Sequence, residues 1–210
     1  KRFNNYPMIY YSIKAVIESK IFDEVIVSTD SEKISKISKK YGAKIPFLRS
    51  KKLSGDNVPI IDVISYTLKE YQKIKKTKIN YVCCILPTAP FIKINDIKKG
   101  FAKIKTNRHD YVISVSKFEY PIHRAFTINK LDKIKKYSPS FLKKRSQDLD
   151  SVFFDAGIFY WSNFSNWKNK KNIFSKKTSI IKIPRWRVQD IDDLDDWKRA
   201  EFLFKILKKI

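Results

Sequence analysis

The sequence predicts an α/β fold around a largely parallel sheet, and three observations carry that reading. Short apolar runs alternate with stretches whose apolar residues recur every three or four positions. A chain of 210 residues is long enough to bury one sizeable core. Its 43% apolar and 14% aromatic content can fill that core, which excludes a disordered chain.

The elements follow in order. Tyr10, Ile13, Ala15, Val16 and Ile17 suit a helix with one buried face. The run Asp23-Glu24-Val25-Ile26-Val27-Ser28-Thr29-Asp30 predicts a strand meeting a polar loop. Ile34, Ile37 and Tyr41 mark a second helix, with Gly42 where a left-handed terminator belongs. Lys44-Ile45-Pro46-Phe47-Leu48 predicts a short strand. Ile61, Ile64, Leu68 and Tyr71 predict a longer helix. Residues 81–86 are apolar throughout, as in a strand covered on both faces. Asn95 or Asp96 can cap a helix carrying Ile97, Phe101 and Ile104. Residues 111–115 predict another buried strand, and Leu194, Trp197, Phe204 and Leu207 a final helix. Residues 117–152 break the rhythm with Pro121, Pro139 and mixed charges, and are expected to form a lid or an arm that grips a second subunit.

Composition narrows the function. The net charge of +24 invites a nucleic-acid reading, but only 8 of the 45 basic residues are arginine. The lysines are spread along the whole chain, so the charge is expected to recruit anionic nucleotides, with no nucleic acid as partner. Cys83 and Cys84 are adjacent, which excludes a disulfide framework and fits a reducing, cytoplasmic compartment. No apolar run approaches the roughly 20 residues of a membrane span, and no signal peptide opens the sequence, so no membrane partner is expected. With 4 glycines there is no glycine-rich phosphate loop. His109 and His123 stand alone, as surface or packing residues do.

Ligands of open α/β sheets sit beyond the carboxyl ends of the strands. Four polar segments follow predicted strands there: residues 28–30, 87–90, 114–117 and 190–192. Asp190 and Asp192 are the sharpest pair. At positions i and i+2 of an extended chain both carboxylates face one side, with Ile191 turned inward. Mg²⁺ commonly takes one or two carboxylates, water and phosphate oxygens. The alternative is an acidic turn that complements the last helix's dipole, a role Asp193 or Asp195 can also fill. Arg49, Arg124, Arg145, Arg185 and Arg187 stand out against lysine. Each suits forked bonds to carboxylate or phosphate, or a surface ion pair.

Taken together these segments resemble the acylneuraminate cytidylyltransferases, the CMP-sugar synthetases, over essentially the whole chain. Residues 22–30 resemble that family's second strand and loop. Phe47-Leu48-Arg49 with Leu53 and Asp56 resembles its base-recognition segment, Leu86-Pro87-Thr88-Ala89-Pro90 its Pro-Thr-Ser/Ala-Pro turn, and Val188-Gln189-Asp190-Ile191-Asp192 its metal-binding aspartates. Arg145-Ser146-Gln147-Asp148-Leu149, Asp155-Ala156-Gly157-Ile158-Phe159-Tyr160-Trp161 and residues 184–190 resemble the branch that acts on pseudaminic acid, as does Cys83-Cys84. Sialic acid members usually carry Asn-Gly in place of Ala156-Gly157 and Gln in place of Leu86.

The resemblance implies a Rossmann-like nucleotidyltransferase domain over residues 1–210, with residues 117–152 as an inserted dimerisation arm of a homodimer. It implies CTP and Mg²⁺. Asp190 and Asp192 would hold the metal and serve catalysis. Arg49, Val58 and Thr88 would bind the nucleotide, with Arg49 and the backbone around Val58 on cytosine. Arg124, Arg145, Gln147, Tyr160 and Phe174 would lie near the sugar acid, some of them reaching a partner's site. The family opens with a strand and a Gly-Ser-Lys loop around the triphosphate, which would precede Lys1. The expected reaction joins CTP to a nine-carbon 2-keto sugar acid, pseudaminic acid first, with release of pyrophosphate. Legionaminic or sialic acid as substrate, or a non-catalytic nucleotide- or sugar-binding protein, are the alternatives.

Overall fold

The structure is a computed structural model that describes residues 1–136, 145 and 148–207. The chain opens with a small hairpin, β1 (Arg2–Phe3) and β2 (Tyr6–Pro7). Asn4 and Asn5 turn it, both at positive φ, which asparagine tolerates better than most residues. Helix α1 (Met8–Ser19) follows Pro7, whose fixed φ suits a helix start. Helix α2 (Glu32–Lys40) is capped by Ser31, whose hydroxyl accepts from the Ile34 N–H, and Gly42 ends the turn at φ +92 as expected. Helix α3 (Ile60–Ile74), β3 (Tyr81–Ile85), α4 (Ile94–Ile104) and β4 (Tyr111–Lys117) follow the predicted pattern. A small exposed hairpin, β5 (Phe126–Ile128) with β6 (Ile134–Lys136), comes next. The chain finishes with β7 (Phe153–Asn163), α5 (Phe164–Lys168), β8 (Thr178–Lys182) and α6 (Leu194–Leu207).

The central sheet has the order β3-β7-β4-β8. Its two faces are covered by different helices. Ala15 and Val16 of α1 and Ile97 and Ile104 of α4 pack on Val112, Phe159, Trp161 and Ile181. Leu68 of α3 and Trp167 of α5 pack on Tyr111, Ile113, Val115 and Tyr160. The alternation along β4 and β7 thus feeds both layers, and this two-sided burial explains their near-continuous apolar sequence. Gly100 of α4 allows the close approach on the first face: a Cβ there would stand 2.6 Å from Trp161 Cδ1. A third cluster joins Phe3, Met8 and Phe91 to Ala200 of α6. Among the described residues no helix is long and apolar enough to cross a membrane.

The structure corrects several expectations. Strands β3, β4 and β8 do run the same way, but the long β7 lies between β3 and β4 and pairs antiparallel with both, so only β4–β8 is a parallel ladder. Residues 23–30 and 44–48 form no full strands. They meet each other in one parallel bridge, Ile26 with Lys44, where the Val27 N–H donates to the Lys44 carbonyl and the Lys44 N–H to that of Val25. Neither Asn95 nor Asp96 caps α4, which begins after Lys93 with no side-chain cap; Asp96 turns inward instead. Residues 114–117 are not a loop after a strand but the end of β4 itself, with Ser114 and Ser116 fully buried. The irregular stretch contains the β5–β6 hairpin, with every strand residue exposed.

Candidate active site

The carboxyl ends of β3, β4 and β8 and the start of β7 share one edge of the sheet. Three segments converge there on a cleft: Thr88 and Phe91 after β3, residues 156–158 of β7, and Arg187, Gln189 and Asp190 after β8. This is where an open α/β sheet places its ligand. Thr88 and Asp190, read from sequence as nucleotide and metal residues, line the same cleft.

A bulge shapes its floor. Ile113 faces Tyr160 across the β4–β7 ladder, yet Val115 faces Asp155, so Ser114 alone spans four residues of β7. The Ser114 hydroxyl, fully buried, accepts from the N–H groups of Ile158 and Phe159, each at 3.1 Å. It thereby replaces the ladder bonds the bulge breaks. Gly157 sits at φ +59, a conformation most side chains avoid. The bulge leaves Asp155 exposed at the edge, with one carboxylate oxygen accepting from the Gly157 N–H (3.0 Å) and the other from the Tyr160 hydroxyl (2.6 Å). Burial foremost, and then the bond to Asp155, hold the Tyr160 phenol far above its ordinary range.

A buried ion pair fixes the opposite wall. Arg187 donates to Asp96 at 2.7 Å, with 6% and 12% of their side chains exposed. Arg187 ends the short 3-10 turn Arg185–Arg187, so the pair ties α4 to the segment that leads to Asp190. Arg187 thus meets a protein carboxylate through Nη1 alone and inside the protein, where a forked bond or a surface ion pair was expected.

Asp190 and Asp192 lie just before α6, and both are exposed. The helix-capping alternative is taken by their neighbours. Asp193 accepts from the N–H groups of Asp195 and Asp196, both at 2.8 Å, while Asp196 accepts from those of Asp192 and Asp193. This reciprocal arrangement satisfies the open end of α6. Ile191 packs toward the Phe3 cluster, as its inward alternation requires. Asp190 also accepts from the Ile191 N–H at 3.1 Å. Among the described residues no three acids, histidines or cysteines converge as a metal-holding group. Two exposed carboxylates, hard oxygen donors without further protein ligands, fit an ion that keeps water and takes phosphate oxygens.

The other predicted residues are distributed unevenly. Arg49 donates through Nε to Ser54 (3.0 Å) and through Nη1 to the Ser28 carbonyl (3.4 Å), so it is held between two loops. Val58 closes that segment, its N–H donating to the Gly55 carbonyl. Tyr160 is buried beside the bulge. Arg124 is exposed in the turn before β5, and Phe174 is 64% exposed. Arg145 is exposed and forks onto Asp148 at 2.9 and 3.4 Å. Gln147 lies outside the described residues. Burial pushes the Cys84 thiol up to about 12 and Cys83 well above its usual range, so neither serves as a thiolate. Sequence reasoning singled out neither the carboxylate of Asp155, the bulge-filling Ser114 nor the Asp96–Arg187 pair. The alternation break at Ala156-Gly157 inside an otherwise apolar run is the signal that marks the bulge.

Residues 1–182 match the family model described as cytidylyltransferase. The chain belongs to that family. This cytidylyltransferase is 36% identical over 200 residues to a pseudaminic acid cytidylyltransferase of Campylobacter jejuni serotype O:2, covering 95% of this chain and 86% of the relative. It is 27% identical over 200 residues to an N-acylneuraminate cytidylyltransferase of Streptococcus agalactiae, covering 91% of this chain and 45% of that one. Its fold is similar to that of a CMP:2-keto-3-deoxy-manno-octonic acid synthetase complexed with CTP. The TM-score is 0.69 at 11% identity, over 98% of this chain and 90% of the other. This cytidylyltransferase is thus a nucleotidyltransferase enzyme by family.

Proposed function

We propose that the protein couples CTP to a nine-carbon 2-keto sugar acid, pseudaminic acid before legionaminic or sialic acid. The convergence of the Thr88 turn, the β7 bulge and Asp190 on one cleft carries the reading. The greater likeness to a pseudaminic acid relative than to an N-acylneuraminate one supports the choice of sugar. In this reaction the sugar's anomeric hydroxyl attacks the α-phosphorus of CTP. A new oxygen–phosphorus bond forms, the hydroxyl proton is lost, and pyrophosphate leaves.

Asp190 and Asp192 would hold Mg²⁺, whose charge would offset that building on the phosphates. Arg49, held by Ser54 and the Ser28 carbonyl, and the backbone at Val58 would meet cytosine. Thr88 would face the nucleotide, and Tyr160 the sugar. Residues 117–152 would act as an arm between two subunits of a cytoplasmic homodimer. Tyr120, Phe126, Ile128, Leu131 and Ile134 are exposed by 55–78% and would supply its apolar contacts. Arg124, Arg145, Gln147 and Phe174 would then reach the sugar from the arm side or from the partner.

The test is pyrophosphate release with CTP and a panel of pseudaminic, legionaminic and sialic acids. Pseudaminic acid is expected to give the highest kcat/KM. A preference for sialic acid would overturn the choice of sugar, and binding of CTP without turnover on any acid would favour a non-catalytic binding protein.

A further inference from the structure

The carboxylate of Asp155 has no part in the roles proposed so far, yet much of the local structure serves to place it. Ser114 fills the broken ladder, Gly157 supplies the left-handed turn, and Asp155 alone of residues 155–160 stands exposed where Ala156 and Gly157 line the cleft. Its two oxygens are already oriented from inside the protein, one by the Gly157 N–H and one by the Tyr160 hydroxyl. A carboxylate offers about four acceptor positions. Two are used, and the others face outward from an exposed side chain. Tyr160 gives its only proton to Asp155, so its phenol oxygen can present only lone pairs to anything beside it.

The edge of the cleft at Asp155 is therefore an acceptor surface with a negative charge. Neither the Asp155 nor the Tyr160 side chain has a donor to offer a carboxylate or phosphate. This edge suits hydroxyl and amide N–H groups, which a polyhydroxylated, acylamino sugar carries.

We propose that Asp155 is a substrate-binding residue of the sugar site, with Tyr160 as its positioning residue. Asp155 accepts hydrogen bonds from hydroxyl or amide donors of the sugar acid and turns the sugar's own carboxylate away from this edge. The inference rests on the sugar-acid reading above. It sets Asp155 apart from Asp190 and Asp192, since the three do not converge as a metal-holding group.

The experiment measures steady-state kinetics of Asp155→Asn and Tyr160→Phe, with CTP, the sugar acid and Mg²⁺ each varied in turn. Asp155→Asn is expected to raise the sugar KM about tenfold or more, the loss of a charge-assisted bond. The CTP KM and the half-saturating Mg²⁺ concentration should stay within about twofold. Tyr160→Phe should shift the sugar KM the same way by a smaller factor, and the double variant should fall short of the product of the two, as for groups acting together. An unchanged sugar KM in both variants overturns the proposal, and so does a matching rise in the CTP KM or in the Mg²⁺ requirement. Tyr160→Phe decides the matter if Asp155→Asn fails to fold. Wild-type protein inactive with every sugar acid would overturn the sugar-acid reading and this one together, whereas an active wild type with indifferent variants overturns this one alone.

Discussion

The cleft and the β5–β6 hairpin use their side chains in opposite ways. Around the cleft the polar groups are already engaged within the chain: Asp96 with Arg187, Asp155 with Tyr160 and Gly157, Ser114 with two N–H groups, Asp193 with the end of α6. On the hairpin Phe126, Ile128, Leu131 and Ile134 lie open. Prearranged groups lose little freedom when a ligand arrives. Apolar groups left in water gain only when something covers them. The first region is prearranged for a small polar ligand, while the second is the apolar surface on which the proposed arm between subunits depends.

The largest effect should come from breaking the prearrangement. Asp96→Ala would leave Arg187 buried without its partner, at a cost of about 3–5 kcal/mol in urea or thermal unfolding. A loss under about 1 kcal/mol would mean that the wall of the cleft is held by something else. Next, Asp192→Asn is expected to lower turnover about a hundredfold or more. Asp195→Asn, whose carboxylate is 90% exposed on α6, should change turnover little. Small and equal losses would remove Asp192 from the metal site.

The hairpin should respond in the reverse sense. Replacing Phe126, Ile128 and Ile134 together by serine should change unfolding stability within about 0.5 kcal/mol per site, as for exposed positions. If the proposed arm joins two subunits, the parent should sediment as a dimer and the same variant as a monomer at equal concentration. A parent that is monomeric at micromolar concentration and still turns over would make the arm a lid. Arg145→Lys sharpens the contrast further. Its exposed fork on Asp148 is worth at most about 1 kcal/mol to the fold. A raised sugar KM with unchanged stability would place Arg145 at a sugar, and unchanged kinetics would leave it a surface ion pair.

The smallest effect concerns a contact in neither region. Tyr71 donates to Glu24, and its phenol is pushed up to about 12, by burial first and then by that carboxylate. A raised folded-state pKa stabilises fully below the unfolded phenol value of about 10, and the contribution fades as pH climbs through 12. Glu24, held low chiefly by the Tyr71 hydroxyl, contributes above the ordinary carboxylate range and loses that as pH falls through it. Tyr71→Phe should therefore flatten the stability profile between about pH 10 and 12 and soften its acid limb, with turnover at neutral pH unchanged.

Much of this was legible in the sequence, and what was not shares a cause. Helices α1 to α4 and α6 follow from spacing, and Gly42 from its need for positive φ. Local signals reach that far. Asp96 reads as a cap because its partner is 91 residues away. Ser114 reads as a loop hydroxyl because the strand it repairs is 44 residues downstream. Residues 23–30 read as a strand because their apolar pattern is right, but a ladder also needs a neighbour, which no local pattern supplies. The acidic start of α6 was legible in part: Asp193 accepts there as foreseen, but its companion is Asp196 and not Asp195, because the turn brings the Asp196 carboxylate back to the N–H groups of Asp192 and Asp193.

The tryptophans give the fold an optical consequence. Trp161 and Trp167 are 1% and 0% exposed, and Trp161 stacks on Phe22 with 6° between the rings. An aqueous quencher has no path to either. Trp186 is 49% exposed and sits between Arg185 and Arg187, in the turn that leads to Asp190. The quenchable part of the intrinsic emission therefore comes from Trp186 and, to a smaller extent, from the half-buried Trp197 beside Phe3. Trp186 is thus an unlabelled reporter of the turn that leads to Asp190, beside two shielded tryptophans whose surroundings change only when the sheet itself comes apart.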